Sequence, residues 1–296
     1  MDSNHALRAG LWVSLVLLLV AGAVGLAFRP MTPQVRVPRA VPAAAFAGND
    51  GGPVITPDQA QEVVRAVWPV RQQALREGDT GLLEKLETGS ALAGDRQAAR
   101  VGGLRHQFAD TGTVRVSVPR QDAYPARFLA EVRIEPDGPY VELMVFVRTD
   151  PSEPWKIALD SGFDPRILEG AMWPDPAVDP DGFNVVGVND GVDPARPHAE
   201  LARYWQGWVD EGTPPAGAPF AAGAWTTSLG AALHERNPQG GLAANGLLGR
   251  SAFDAQPSEG VFTFGLAGGG MLSCSTVRQL STFSSPKPNI RTRQDA

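Results

Sequence analysis

The sequence predicts an α+β protein held by a single N-terminal transmembrane helix. Three observations carry that reading: one uncharged apolar run at 9–28, helical periodicity from Thr56 onward, and strict alternation from Thr113. The run, AGLWVSLVLLLVAGAVGLAF, has Ser14 as its only polar side chain and lies between Arg8 and Arg29. As a helix it would extend roughly 30 Å, the thickness of a bilayer's hydrocarbon core, and nothing later repeats it. Residues 11–20 also have the length of a signal-peptide apolar region, and Ala21-Gly22-Ala23 resembles a small-residue cleavage site. A retained anchor and a cleaved leader therefore both stand, and both export the rest of the chain. Arg29, Arg36 and Arg39 behind the span outnumber Arg8 and the amino terminus ahead of it, which runs against the usual charge bias. The expectation is a cell-membrane, single-pass protein with an extracytoplasmic body.

Residues 1–8 form a short leader to this span, and residues 29–54, rich in Pro, Ala and Gly, form a linker that cannot hold helix or sheet for long. A first domain should occupy 55–165. Thr56-Pro57-Asp58-Gln59 has the residues of a capped helix start, and Ala60, Val63, Val64, Val67, Trp68 and Leu75 fall on one helical face. Pro69 should kink or divide this helix near Trp68, because its ring clashes with the preceding turn. Asp79 caps a short second helix with Leu82, Leu83 and Leu86 inward and Gly89 closing it; a third runs from Ala93 to about Phe108. Strands then alternate through Val114–Val118, Phe128–Ile134, Val141–Val147 and Trp155–Leu159, with Pro136-Asp137-Gly138-Pro139 as a turn.

Residues 166–194 read as a Pro- and Asp-rich connector, a surface wrap or linker. A smaller α+β domain follows at 195–283. Leu201, Tyr204, Trp205, Trp208 and Val209 form one helical stripe stopped by Gly212-Thr213-Pro214-Pro215, and a second helix spans about Thr226 to Arg236. Phe262, Phe264 and Leu266 alternate into Gly268-Gly269-Gly270, and Leu272, Cys274 and Thr276 alternate out, which predicts a hairpin. Helices before strands repeat the order of the first domain, so the second is expected to be an abbreviated copy of it. The polar tail 284–296 is expected to be disordered.

Three helices followed by an antiparallel meander, with ALREGDTGLLEKLETGSAL at 74–92 and PWKIALDSGF at 154–163, resembles the cone-shaped, cystatin-like α+β fold of the nuclear transport factor 2-like superfamily. The resemblance covers about 110 residues, and its motifs are features of shape with no chemistry attached. Within that superfamily the anchored arrangement resembles a group of uncharacterised actinobacterial membrane proteins. It resembles less closely the Mce-associated membrane proteins and the inner-membrane assembly subunits of type IV secretion systems. The resemblance implies a scaffold or partner-binding role. Enzymes of the superfamily work in the pocket between sheet and helices with Asp, Tyr or His as acid or base; the groups available here are His106, Asp122, Tyr124, Tyr140 and Asp160, which match no particular enzyme's pattern.

Composition narrows the chemistry. Only Lys85, Lys156 and Lys287 are lysines among 26 basic residues, and Ala, Gly and Pro are abundant, as in high-GC, actinobacterial genomes. A net charge of −6 with no basic run argues against nucleic acid. The single Cys274 excludes an internal disulfide and stands too far from the apolar run for a lipobox. Four scattered histidines, 5, 106, 198 and 234, supply no zinc set. The Asp cluster at 175, 179, 181, 190 and 193 invites calcium, but EF-hand spacing fails at Phe183. Gly265–Gly270 joins two strands with no helix to offer its amino end to a phosphate, and no serine stands in a nucleophile elbow. No metal, cofactor or catalytic residue is expected.

The resulting expectation is a membrane-anchored, non-catalytic binding or assembly module of the cell envelope, engaging the membrane through 9–28 and envelope or transport-system proteins through its body. The alternative is a small-ligand carrier, or an isomerase- or hydratase-like enzyme, with His106, Asp122 and Tyr124 as ligand-binding residues at the mouth of an apolar pocket in the first domain. A carrier needs a closed cavity of about 300 Å³ or more, whereas a module can have a filled cone.

Overall fold

The first helix begins where the sequence places its cap. In the computed structural model, which describes residues 40–48, 51–100, 112–134, 140–163, 175–185, 195–236, 248–255 and 261–284, α1 spans Pro57–Glu77. Thr56 Oγ1 accepts from Gln59 N at 3.3 Å and Thr56 N donates to Gln59 Oε1 at 3.0 Å, so two otherwise orphaned donors are satisfied reciprocally. Of the two outcomes expected at Pro69, a kink or a division, division of α1 does not occur. Pro69 removes one backbone donor, but Val67, Trp68, Val70, Arg71 and Gln72 around it are all buried, and that packing holds the helix through the gap.

Asp79 Oδ1 accepts from Leu82 N at 3.0 Å to start α2 (Thr80–Leu86). Gly89 opens α3 (Gly89–Arg100), four residues before the expected start, where closure of α2 had been expected. The cause is the sheet: Glu87 turns extended, and Thr88 N donates to Ile157 O at 2.8 Å, which pulls the chain out of helix before it re-enters. Gly89 has φ +57°, and a Cβ there would stand 3.0 Å from Ala158 O. The expected continuation of α3 to Phe108 lies outside the described residues beyond Arg100, as does the turn at 136–139.

Four strands follow as an antiparallel meander in order 1-2-3-4: β1 (Val114–Ser117), β2 (Ala126–Ile134), β3 (Tyr140–Arg148) and β4 (Lys156–Phe163). The chain is thus α+β, with helices preceding an antiparallel sheet. α1 packs on β1 and β2, and α3 on β4. Register puts Phe128 opposite Phe146, and their rings stack with centroids 4.8 Å apart while Trp155 meets Phe128 edge-on at 5.0 Å. This helix-facing side is solidly filled: Phe128, Ala130, Met144, Phe146, Trp155 and Ile157 are all buried.

The second half of the expected linker is docked. Residues Ala43–Phe46 make a 3-10 turn whose Ala45 O accepts from Trp155 N at 2.7 Å, and Ala47 O accepts from Trp155 Nε1 and Arg148 Nη1, each at 2.9 Å. Buried Arg148 also donates through Nε to Glu153 O at 2.8 Å, so its charge is spread over carbonyls that close one end of the sheet.

The sheet's other face is covered from far along the chain. β6 (Val261–Gly265) and β7 (Met271–Ser275) form the expected hairpin, and Phe264 packs on Leu129 and Val145, ringed by Val147, Leu159, Phe262, Leu272 and Cys274. The connector is stitched to this hairpin. Asn184 Nδ2 donates to Ala177 O and Gly265 O at 2.9 and 3.0 Å, and its Oδ1 accepts from Gly265 N at 2.9 Å.

Helix α4 (Ala195–Glu211) buries the expected stripe, Tyr204, Trp205, Trp208 and Val209, against Phe220, Leu229, Phe253 and Val277. A π-helical turn at Ala224–Ser228 precedes α5 (Leu229–Arg236), within which Gly230 leaves room for the Trp208 indole. β5 (Leu248–Ala255) pairs antiparallel with β8 (Val277–Ser284), a ladder the sequence did not announce. Pro38–Ala296 form one compact unit; Met1–Val37, which carries the expected transmembrane helix, lies outside the described residues, as do 285–296 of the expected tail. Among the described residues no helix is long and apolar enough to cross a membrane.

Candidate functional site

The main concentration of ionisable groups among the described residues lies between the helices and the sheet, around one arginine. Arg71 stands on the buried stripe of α1, three residues after Trp68 and four after Val67, with 2% of its surface exposed. Its Nε donates to Glu87 Oε1 at 2.5 Å, Nη1 to Glu142 Oε1 at 3.2 Å, and Nη2 to Asp95 Oδ2 at 2.8 Å and also to Asp160. The four carboxyls come from the α2–α3 junction, α3, β3 and β4, so a single guanidinium ties every layer of the first α+β unit together. Glu87 and Glu142 are buried, whereas the Asp95 and Asp160 side chains keep partial contact with solvent.

Four carboxylates against one cation cannot all be ionised cheaply at low dielectric. Burial lifts the Glu87 carboxyl to about 8 against the pull of Arg71, with Asp95 adding to the rise. Burial likewise lifts Glu142 to about 7 against Arg71, with Asp160 adding. Glu87 Oε2 is sealed from solvent with no donor beside it, so it is the atom suited to carry a proton and offer it toward Asp95. Arg71 stays charged: burial alone would lower its pKa, but the four carboxylates together raise it. Tyr140 reaches the same group. Its hydroxyl pairs with Glu142, and burial and that carboxylate hold its pKa well above the phenolic value. Gly162 makes the approach possible, since a Cβ there would lie 1.7 Å from the Tyr140 hydroxyl.

The structure therefore gathers Tyr140 and Asp160 from the groups named by sequence, and leaves Asp122 and Tyr124 elsewhere. Asp122 is exposed in the bend before β2, and the Tyr124 ring lies under the Arg148 guanidinium, 5.6 Å from centroid to Cζ. That loop adjoins Ala126, whereas the cluster meets the sheet near Val132, opposite Glu142, roughly 20 Å along β2. His106 lies outside the described residues. Sequence reasoning missed Arg71, Glu87, Asp95 and Glu142. The available signal was a charge on an apolar stripe: Arg71 is seven residues after Val64 on α1, and Glu142 shares its side of β3 with Met144 and Phe146.

Chemically, each guanidinium nitrogen already holds a carboxylate, so Arg71 is committed to its carboxyl partners. The described Asp residues of the connector are likewise engaged. Asp175 pairs with Arg115 at 2.7 Å, Asp179 and Asp181 pair with Arg120 at 3.1 and 2.7 Å, and Asp179 Oδ1 accepts from the Asp181 and Phe183 amides. Among the described residues no group of three or more His, Cys, Asp or Glu could hold a metal ion. A cleft between β1, β2 and the hairpin is lined by Ser117, Glu131, Leu129, Phe264 and Leu272, with free space of about 20 Å³, room for one water beside the unpartnered Ser117 hydroxyl.

Compared with known families, residues 51–296 match the model of a domain of unknown function, DUF8094. The chain belongs to this family. The match extends from ahead of the α1 cap to beyond β8, so its bounds take in both the sheet and the hairpin that covers it. No curated protein and no solved structure matches the chain.

Proposed function

We propose that this DUF8094 protein is a non-catalytic binding or assembly module, tethered to the cell membrane by residues 9–28 and presenting its body on the extracytoplasmic side of an actinobacterial envelope. The single observation that carries the non-catalytic reading is the filled cone. Phe128, Phe146 and Trp155 occupy the helix-facing side of the sheet, the ion pairs of Arg71 occupy its polar end, and the cleft on the other face has room for one water. A small-ligand site buries most of its ligand in a cavity of several hundred Å³. A nuclear transport factor 2-like cone is in keeping with three helices laid on a four-stranded antiparallel meander. The tether rests on the apolar run and its length.

The test is crosslinking in intact source cells, followed by purification of the full-length protein and mass spectrometry, against a control that keeps residues 1–54 only. The expected result is recovery of a defined envelope or transport component that requires 55–296. Failure to recover one, together with a thermal shift of the body by a small metabolite, would overturn the module reading. External protease that leaves the body intact on unbroken cells, but cuts it after lysis, would overturn the extracytoplasmic placement.

A further inference from the structure

We propose that the Arg71 cluster is a proton-operated latch that clamps α1, the α2–α3 junction and α3 onto β3 and β4 as pH falls through neutral and loosens them as it rises. The geometry sets the conditions. Every layer packed at this point contributes a charge: Arg71 from α1, Glu87 from the junction, Asp95 from α3, Glu142 with the Tyr140 hydroxyl from β3, and Asp160 from β4. With all four carboxyls ionised, the cluster holds three more negative charges than positive ones. With protons on Glu87 and Glu142 it holds one, shared by Asp95 and Asp160, the two members in contact with solvent. The buried members thus hold protons, and the solvated members keep the charge.

The two arrangements differ in what they do to the fold. Neutral Glu87 can keep Oε1 on Arg71 Nε and donate from Oε2 toward Asp95, a carboxyl–carboxylate bond joining the α2–α3 junction to α3. Neutral Glu142, whose register partner is Gly162, can do the same diagonally toward Asp160 and so join β3 to β4. Loss of either proton turns an attractive contact into two like charges, one of them buried, and the strain falls on the segments that carry them. Gly89, whose backbone sits against Ala158 O at the β4 bulge, is where α3 would part from the sheet first.

The sign follows from linkage. Both carboxyls have folded-state pKa values raised above 4.5, so the folded chain binds more protons than the unfolded one between about pH 5 and about pH 8. Stability therefore falls as pH rises across that window and levels off above it, by up to about tenfold in the folding constant per pH unit for each group. Urea unfolding of the full body across this range should show that fall. The Glu87→Gln/Glu142→Gln double variant, which fixes the neutral shape, should give a flat profile in the same window and exceed the parent at its alkaline end. An equal slope in parent and variant would overturn the latch. Should the double variant fail to fold, infrared difference spectra of the parent decide. A carboxylic-acid carbonyl band present near neutral pH should vanish by about pH 9 as amide protection in α3 and β4, after division by the intrinsic exchange rate at each pH, falls. Absence of that band, or protection that does not change with it, would overturn the proposal.

Discussion

Replacing Arg71 by methionine keeps most of the side chain's length and apolar stem while removing the cation that the described residues place among four carboxyls. The site offers little escape, because Arg71 is 2% exposed, Glu87 1% and Glu142 6%. Breaking a buried ion pair by removing one partner costs about 3–5 kcal/mol, since the remaining charge is left unpaired. A domain's whole stability is about 5–15 kcal/mol, so Arg71→Met should remove a large part of it near pH 8. The loss should shrink toward pH 5. Without the cation the carboxyl pKa values rise further, and groups with raised folded-state values destabilise most above those values and least below them. Urea unfolding followed by tryptophan fluorescence is suited to this, with Trp68 and Trp155 buried in the first unit. A loss under about 1 kcal/mol at pH 8, as for a surface pair, or a gap that widens toward acid, opposite to the titration of the carboxyls, would refute the reasoning.

Other perturbations have equally defined outcomes. Thr56→Ala removes one half of the α1 capping box and should cost about 1 kcal/mol in chemical unfolding without altering the circular dichroism of the folded body. Gly89→Ala places a Cβ 3.0 Å from Ala158 O at a positive φ and should cost more than the ~1 kcal/mol of an ordinary left-handed substitution. Its amide-exchange footprint should centre on the start of α3 and on β4. Trp155→Phe deletes the indole donor to Ala47 O and should raise protease sensitivity at residues 40–48 while the sheet persists; unchanged cleavage there would show that the docked turn does not depend on that bond.

The elements that were legible in the sequence are those whose local signals and tertiary environment agree. Thr56-Pro57-Asp58-Gln59 forms the cap it spells, and the β2 and β3 alternations pair in the register their apolar residues demand. Trp205 and Trp208 lie in the core, as an aromatic stripe beside Leu201 and Val209 suggests. Misreadings fall where a distant segment intervenes. Glu87 leaves the helix because β4 offers it a partner, and α1 runs past Pro69 because both sides of that turn are packed. The β5–β8 ladder escaped because LGRSAFDA and VRQLSTFS alternate poorly, with Leu280 of β8 largely exposed. The Arg71 cluster draws on residues 16 to 89 positions away from Arg71, and no local window contains it. The same holds for the hairpin on the sheet's second face. Both sides of β3 are apolar, Val141, Leu143 and Val145 on one and Met144 and Phe146 on the other, which signals a sheet covered twice without naming the cover.

That second cover is the central structural claim, since it closes the sheet on both faces and makes the hairpin part of the same body. The chain's one cysteine reports on it directly. Cys274 of β7, half-buried, packs beside Phe264 against Leu129 and Val145, and the burial pushes its thiol up to about 12. The decisive measurement is the rate of thiol labelling of the body, residues 40–296, in buffer and in urea, with circular dichroism recorded in parallel. A docked hairpin predicts a half-buried thiol that labels many times more slowly in buffer than in urea. Labelling in buffer as fast as in urea, with circular dichroism still native, would contradict it, because the hairpin would then lie off the sheet.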